Sequence, residues 1–369
     1  MKMKLIHCAD LHLGSNLTSN LTAEQAQKRN YELFDNFENM LRYAKEEQIQ
    51  VVLLCGDVFD TKNPPMWVQT ACLKLIETYS DITFFYIRGN HDRGVWEQEW
   101  INETLPDNLH LFDTKWSRYE CGDIVICGIE CEKDSLYKQA LQLVLDETRI
   151  NIVMLHGRVT ENNLVTVAED IIPISLFQNK NIDYLALGHI HSYEEKKFDQ
   201  RGKYCYSGCL EGRGFDECGE KGFVLLTVEE EKIKSCFIPF GKRKLFDIGV
   251  TIDGCMTTMD ISRRIEIELK KSNVSKEDYV RIRLIGNVDV ECEKNSMYLQ
   301  QKWSEQFYYF QIEDDTKLTV DYNDFLYDES LKGEFVRKIR KMDLPEEDKI
   351  TIIRYGILAL SGEEIAECD

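Results

Sequence analysis

Leu5-Ile6-His7-Cys8-Ala9-Asp10-Leu11-His12 opens the chain with a short apolar run that ends abruptly in an acidic residue and a histidine. Further segments repeat that design. Val51–Leu54 runs into Cys55-Gly56-Asp57, and Thr83–Ile87 into Gly89-Asn90-His91-Asp92. Ile152–Leu155 runs into His156-Gly157, and Tyr184–Leu187 into Gly188-His189-Ile190-His191. Apolar runs of about five residues suit strands buried on both faces. Ile124–Ile129 is another such run, without a polar ending. Between the first two lies a stretch, Ala23–Glu47, with Tyr31, Phe34, Phe37, Met40 and Leu41 on one side, the pattern of an amphipathic helix. Strands alternating with helices predict an α/β fold, a two-sheet sandwich flanked by helices. Ligands in such folds bind at the carboxyl ends of strands, so the polar endings are expected to converge.

Working outward, Gly202–Pro239 reads as antiparallel strands that finish the sandwich. Lys242-Arg243-Lys244 marks a boundary. A β-α-β pattern follows, with strands at Leu245–Ile252 and Tyr279–Ile285 around a helix at Thr257–Lys271, then a strand at Phe307–Ile312. The last fifty residues are predicted helical, with Phe335, Ile339, Ile350, Ile353, Ile357 and Leu358 on one face. The expected domains are residues 1–240, a small α+β domain at 241–320, and a helical segment at 321–369.

The 13 cysteines are odd in number and include no Cys-x-x-Cys pair, which argues against a zinc ribbon or a dithiol redox motif. No apolar run approaches the roughly 20 residues of a membrane span. The N-terminus lacks a signal-peptide pattern, so a cytoplasmic protein without a membrane partner is expected. A net charge of −20 is unfavourable for gripping nucleic acid by its phosphates. Bound divalent cations would invert the sign of the field locally.

Asp, Asn and His supply oxygen and imidazole donors without thiolate, a set suited to manganese, iron or zinc at a hydrolytic site. If the segment after the first strand stays extended, Asp10 and His12 face the same way and can aim at one ion. Glycine before Asp57, Asn90 and His189 allows a sharp turn where each strand ends.

The ordered motifs Asp10-Leu11-His12, Gly56-Asp57, Gly89-Asn90-His91-Asp92, His156-Gly157 and Gly188-His189-Ile190-His191 resemble the calcineurin-like metallophosphoesterase superfamily over residues 5–240. The resemblance implies a binuclear centre. Asp10, His12, Asp57 and His191 resemble the ligands of one divalent ion, and Asp57, Asn90, His156 and His189 those of the other. His91 resembles the catalytic histidine that assists the leaving oxygen, with Asp92 as its expected orienting partner.

Ala9-Asp10-Leu11-His12-Leu13-Gly14 and Cys55-Gly56-Asp57-Val58-Phe59-Asp60 are similar to SbcD-like DNA repair exonucleases, and so are Tyr206-Ser207-Gly208 and Phe215-Asp216-Glu217. In its compact form the chain resembles the YhaO-type branch. At Asp60 some relatives carry a histidine instead. This resemblance implies a manganese-dependent nuclease acting on DNA beside an SMC-like ATPase, with homodimerisation also expected. The small domain would select nucleic-acid shape. The terminal helices, with Arg337-Lys338-Ile339-Arg340-Lys341, would dock the ATPase or complete the chain's own fold.

Two other functions fit the residues: a phosphodiesterase for nucleotides or other small esters, which the acidity favours, and a catalytically weak scaffold for the ATPase. Basic residues near the site (Lys196, Lys197, Arg201, Lys203) read as a backbone grip or a solvated hairpin, and Arg213 as a phosphate contact or a turn. Trp67, Trp96, Trp100, Trp116 and Trp303 are not spaced as a stacking platform and read mostly as packing.

Overall fold

The computed structural model describes residues 2–17, 21–93, 95, 105–130, 136–161 and 170–361. They form two compact units, Met1–Lys244 and Leu245–Asp369.

In the first unit the apolar runs become β1 (Met3–Cys8), β2 (Val51–Cys55) and β3 (Thr83–Ile87), followed by β4 (Leu109–Leu111), β5 (Ser117–Cys121) and β6 (Ile124–Gly128). Further along come β7 (Ile150–His156), β8 (Arg158–Thr160), β9 (Ile171–Pro173), β10 (Tyr184–Gly188), β11 (Glu194–Lys197), β12 (Lys203–Tyr206), β13 (Gly222–Glu229) and β14 (Lys232–Pro239). Helix α1 spans Ala23–Glu46, α2 Met66–Thr78 and α3 Leu136–Gln142.

One six-stranded sheet has the order β14-β13-β1-β2-β3-β4 and the other β11-β12-β10-β7-β6-β5. Their inner faces share a core that includes Leu5, Leu53 and Phe85 from the first sheet and Ile126, Ile152 and Ala186 from the second. On the outer face of the first sheet, Leu33, Phe37, Met40 and Leu41 of α1 join Val68 and Leu73 of α2 over Ile6, Val52 and Phe84. Leu136 and Ala140 of α3 cover Val153 and Leu185 outside the second. The α/β sandwich read from the apolar runs is therefore the observed architecture. The Gly202–Pro239 strands finish both sheets: β13 and β14 extend the first antiparallel, whereas β12 joins the second, antiparallel to β11 but parallel to β10.

Helix α1 starts on a capping box in which Thr22 and Gln25 satisfy each other's backbone donors. Its buried side differs from the expected one, because Tyr31 is outside it and charged residues are inside. Arg29 pairs with Glu32 at 2.9 Å and Glu211 at 2.6 Å, and Arg243 closes on Glu32 from the other side at 2.5 Å. Glu211 also accepts from Asn36 and from the backbone of Lys242 and Arg243. All four charges are buried, and each is paired, as burial of charge requires. This network ties α1 to the loop Glu211-Gly212-Arg213, which the site uses.

In the second unit, β15 (Leu245–Thr251), β16 (Tyr279–Ile285) and β18 (Tyr309–Asp314) form a parallel sheet, with β17 (Asn287–Asp289) and β19 (Lys317–Thr319) as a separate pair. Helices α4 (Thr258–Lys271) and α5 (Ser296–Ser304) accompany the sheet, with Ile261, Ile265, Leu299 and Trp303 in its core. The terminal helices α6 (Leu331–Arg340) and α7 (Glu346–Ser361) close over their own cluster of Val290, Phe325, Val336, Ile339, Ile353 and Ile357. No described helix is long and apolar enough to cross a membrane.

Candidate metal centre

The polar endings of β1, β2, β3, β7 and β10 meet at one edge of the sandwich, where parallel strands bring their carboxyl ends together. The turns after β1 and β2 are zipped by backbone bonds: Asp10 donates to Gly56 at 3.0 Å, His12 to Asp57 at 2.9 Å and Leu13 to Val58 at 2.8 Å.

Asp10 (φ 53°), His12 (φ 46°), Asp57 (φ 51°) and His189 (φ 98°) all hold positive φ. Side chains other than glycine's seldom enter this region, and the cost persists only where surroundings over-determine it, commonly at functional sites. The expected extended segment at Asp10–His12 is thus corrected. The side chains come together because the backbone kinks at each of them, not because alternate residues share a face.

The glycines also act differently from expectation. Gly56 does supply a left-handed turn (φ 90°), but Gly89 is needed for space: a Cβ there would lie 2.1 Å from Asp57 Oδ1.

All eight residues singled out from the sequence lie at this edge. Ligand-capable atoms of Asp10, His12 and His191 fall within 4.8 Å of one another, and so do those of Asp10, Asp57 and His156. Hydrogen bonds fix the ring tautomers. His12 Nδ1 donates to Asp60 at 3.0 Å, and His191 Nδ1 to Glu217 at 2.6 Å. In the neutral rings each Nε2 carries a lone pair, and the two Nε2 atoms face each other at 3.2 Å.

The same conflict recurs beside them. His156 Nδ1 donates to the Cys55 carbonyl at 2.8 Å, and its Nε2 points at Asn90 Oδ1 (3.0 Å) and Asp57 Oδ2 (3.3 Å), where it needs either a proton or a cation. His189 Nδ1 lies 3.3 Å from the same Asn90 oxygen. Ring nitrogens and carboxyl oxygens crowded this closely in a buried site need protons or cations between them, and this donor set fits divalent ions.

Without ions, protons take up part of that demand. Burial disfavours charge on His156, but Asp57 and Asp10 outweigh it and push the imidazole up to about 9. Burial likewise opposes ionisation of Asp57, yet His156 and His12 hold it well below the usual carboxylate range. Asp10 is raised to about 6, chiefly by burial.

His12, Asp60 and His91 form a further group within ligating distance, but its atoms already satisfy one another. His91 Nδ1 donates to the Asp60 carbonyl at 2.7 Å, and the Asp60 carboxylate takes His12. His91 is exposed, and its backbone N–H donates to Asp57 Oδ1 at 2.9 Å. Asp92 does not orient His91. Its Oδ2 accepts from Val58 N–H at 2.8 Å and from the Tyr86 hydroxyl, and its Oδ1 from Gly89 N–H, so it builds the turn instead.

Arg213 is neither a free phosphate contact nor a surface decoration. It bridges Asp60 (2.6 Å) and Glu217 (2.8 Å), the two carboxylates that orient His12 and His191. Burial opposes the charge on Glu217, but His191 and Arg213 keep its carboxyl well below the usual range. Three of the four basic residues at 196–203 are engaged with partners outside the donor cluster. Lys196 pairs with Glu194, Arg201 with Asp183, and Lys203 with Glu195 and Ser235.

Comparison with known proteins agrees with this geometry. The family described as calcineurin-like phosphoesterase matches residues 3–193. The metallophosphoesterase YhaO of Bacillus subtilis, itself uncharacterized, is 28% identical over 61% of the chain, and the match spans 57% of its own length. The DNA double-strand break repair protein Mre11 of Sulfolobus acidocaldarius is 27% identical over 78% of the chain and 76% of its own. A subunit of the nuclease SbcCD of Escherichia coli K12 is 25% identical over 63% of the chain and 67% of its own. With the family matched across more than half of its length and the family's motifs converging on one cation-demanding edge, the chain belongs to the calcineurin-like phosphoesterases and is a hydrolase of phosphoesters.

Proposed function

We propose that the chain is a metal-dependent nuclease that cleaves phosphodiester bonds in DNA, working beside an SMC-like ATPase. The observation that carries this reading is the convergence of seven oxygen and imidazole ligand groups within hydrogen-bonding or ligating distance of one another, with four of them on left-handed backbone. In this reading Asp10, His12, Asp57 and His191 hold one ion, and Asp57, Asn90, His156 and His189 hold the other, with manganese the metal proposed. Such ions supply positive charge to a phosphate and ionise water near neutral pH.

The protein's own groups do the rest. Asp60 and Glu217 present the Nε2 atoms of His12 and His191, and Arg213 holds both carboxylates in place. The Asp60 carbonyl accepts from Nδ1–H and fixes the His91 ring, so that the ring, once it has also taken a proton at Nε2 as imidazolium, passes that proton to the departing sugar oxygen and returns to the neutral form. The names of the relatives, a double-strand break repair protein and a nuclease subunit, support a DNA substrate and a partner.

A second reading, hydrolysis of small diesters, is favoured by the net charge of −20. Digestion of labelled single- and double-stranded DNA with manganese, magnesium or chelator, beside bis-p-nitrophenyl phosphate, separates the two. Manganese-dependent DNA cleavage is expected. Hydrolysis of the small diester with DNA left intact would sink the nuclease reading and leave the second.

A further inference from the structure

Tyr31 and Trp67 stand out because both are large and roughly half exposed, at 54% and 51%. Trp67, the second residue of α2, lies 6.2 Å from the Tyr31 ring and 5.7 Å from Phe34, both on α1. The tryptophan is thereby braced rather than loose. Of the other tryptophans, Trp303 is buried and Trp116 donates to the Gln139 carbonyl at 2.8 Å, while Trp96 and Trp100 lie outside the described residues.

Tyr31 and Trp67 border a cavity of about 490 Å³, together with Gly14, Ser15, Gln27 and Asn30. That volume is within the range of sites that hold small organic molecules. The cavity adjoins the metal centre through Ser15. Ser15 Oγ donates to the His12 carbonyl at 2.8 Å and accepts from Arg213 at 3.1 Å, and the Ser15 carbonyl accepts from Asn30 at 2.8 Å. One turn therefore carries a metal-facing imidazole on one side and this aromatic-lined hollow on the other.

Resting on the nuclease reading, we propose that the Tyr31–Trp67 shelf stacks a nucleobase of the strand whose phosphodiester lies at the metal centre, so that the enzyme selects unpaired nucleic acid. Three features choose this occupant. Planar aromatic faces beside polar carboxamides match a base and its edge. Ser15, which lines the cavity, is hydrogen-bonded to both His12 and Arg213 of the metal centre, so cavity and centre lie side by side. The net charge of −20 leaves little general attraction for a phosphate backbone, so grip must come from the ions and from stacking. A base paired within a duplex cannot enter such a hollow without being extruded.

The test uses the full manganese-loaded chain, fluorescein-labelled oligothymidylate and the matching abasic strand, with binding read by anisotropy and cleavage as kcat/KM. Trp67→Ala is expected to weaken oligothymidylate binding and to lower kcat/KM by about tenfold, within the range of stacking energies per base. Trp67→Phe should retain most of both, and on the abasic strand wild type and Trp67→Ala should be equal. Metal content and thermal unfolding confirm that the variants are loaded and folded.

Equal cleavage of oligothymidylate by wild type and Trp67→Ala would overturn the shelf while leaving the nuclease intact. A loss of the same size on the abasic strand would also overturn it. Trp67-dependent binding without cleavage would support the shelf and remove the nuclease reading alone. A wild-type chain that neither binds nor cuts oligothymidylate would end both.

Discussion

His91→Ala is expected to lower kcat on a phosphodiester by roughly 10²–10⁴-fold, the usual worth of a positioned acid, while bound metal and KM change little. The expectation follows from what His91 touches. Its ring is exposed and its Nδ1–H is taken by the Asp60 carbonyl, so the ring is aimed without being spent on a ligand position. Its backbone, not its side chain, contacts Asp57. Deleting the imidazole therefore removes a proton donor and leaves the donor cluster standing. The measurement is steady-state kinetics beside metal content by atomic spectroscopy. A variant that loses metal along with activity would make His91 a ligand, and one that keeps full activity would remove it from the chemistry.

Asp57→Ala should behave in the opposite way, losing metal and activity together. Asp57 is buried, accepts from the His91 backbone through Oδ1 and faces His156 Nε2 through Oδ2. Losing an outer-shell partner typically costs 10–100-fold in metal affinity, and losing a carboxylate that the proposed assignment shares between two ions should cost more than that.

A pH signature accompanies the loss. His156 is raised to about 9, so near neutral pH it holds a proton that an incoming ion must displace. Manganese affinity of the wild type should therefore increase as pH rises toward 9, with protons released on loading. Without Asp57 the main force holding that proton is gone and burial lowers the His156 pKa, so release near pH 7 should shrink. Calorimetry in buffers of different ionisation enthalpy measures this directly. Proton release unchanged in Asp57→Ala would contradict the pairing.

The strands and the residues at their ends were legible because each apolar run is short and stops at a polar motif, a local signal. What supports those residues was not. Arg213 and Asp60 pair across 153 positions, and Arg243 and Glu32 across 211, separations that no spacing rule reaches. Glu217 stood in a motif read only as part of a resemblance, although it orients His191. Asp92 misled because it adjoins His91 in sequence, while the turn sends its carboxylate inward to Val58 and Tyr86. Tyr31 misled for a different reason: a helix with buried ion pairs spends part of its inner face on charge, which displaces an aromatic residue outward.

Titrating the chelator-stripped chain with manganese, while following both bound ions and phosphodiester hydrolysis, tests the binuclear centre most directly. Activity is predicted to be absent from the stripped chain and to appear as two ions bind per chain. Hydrolysis that survives stripping, or a chain that binds two ions and hydrolyses no phosphodiester, would contradict the account.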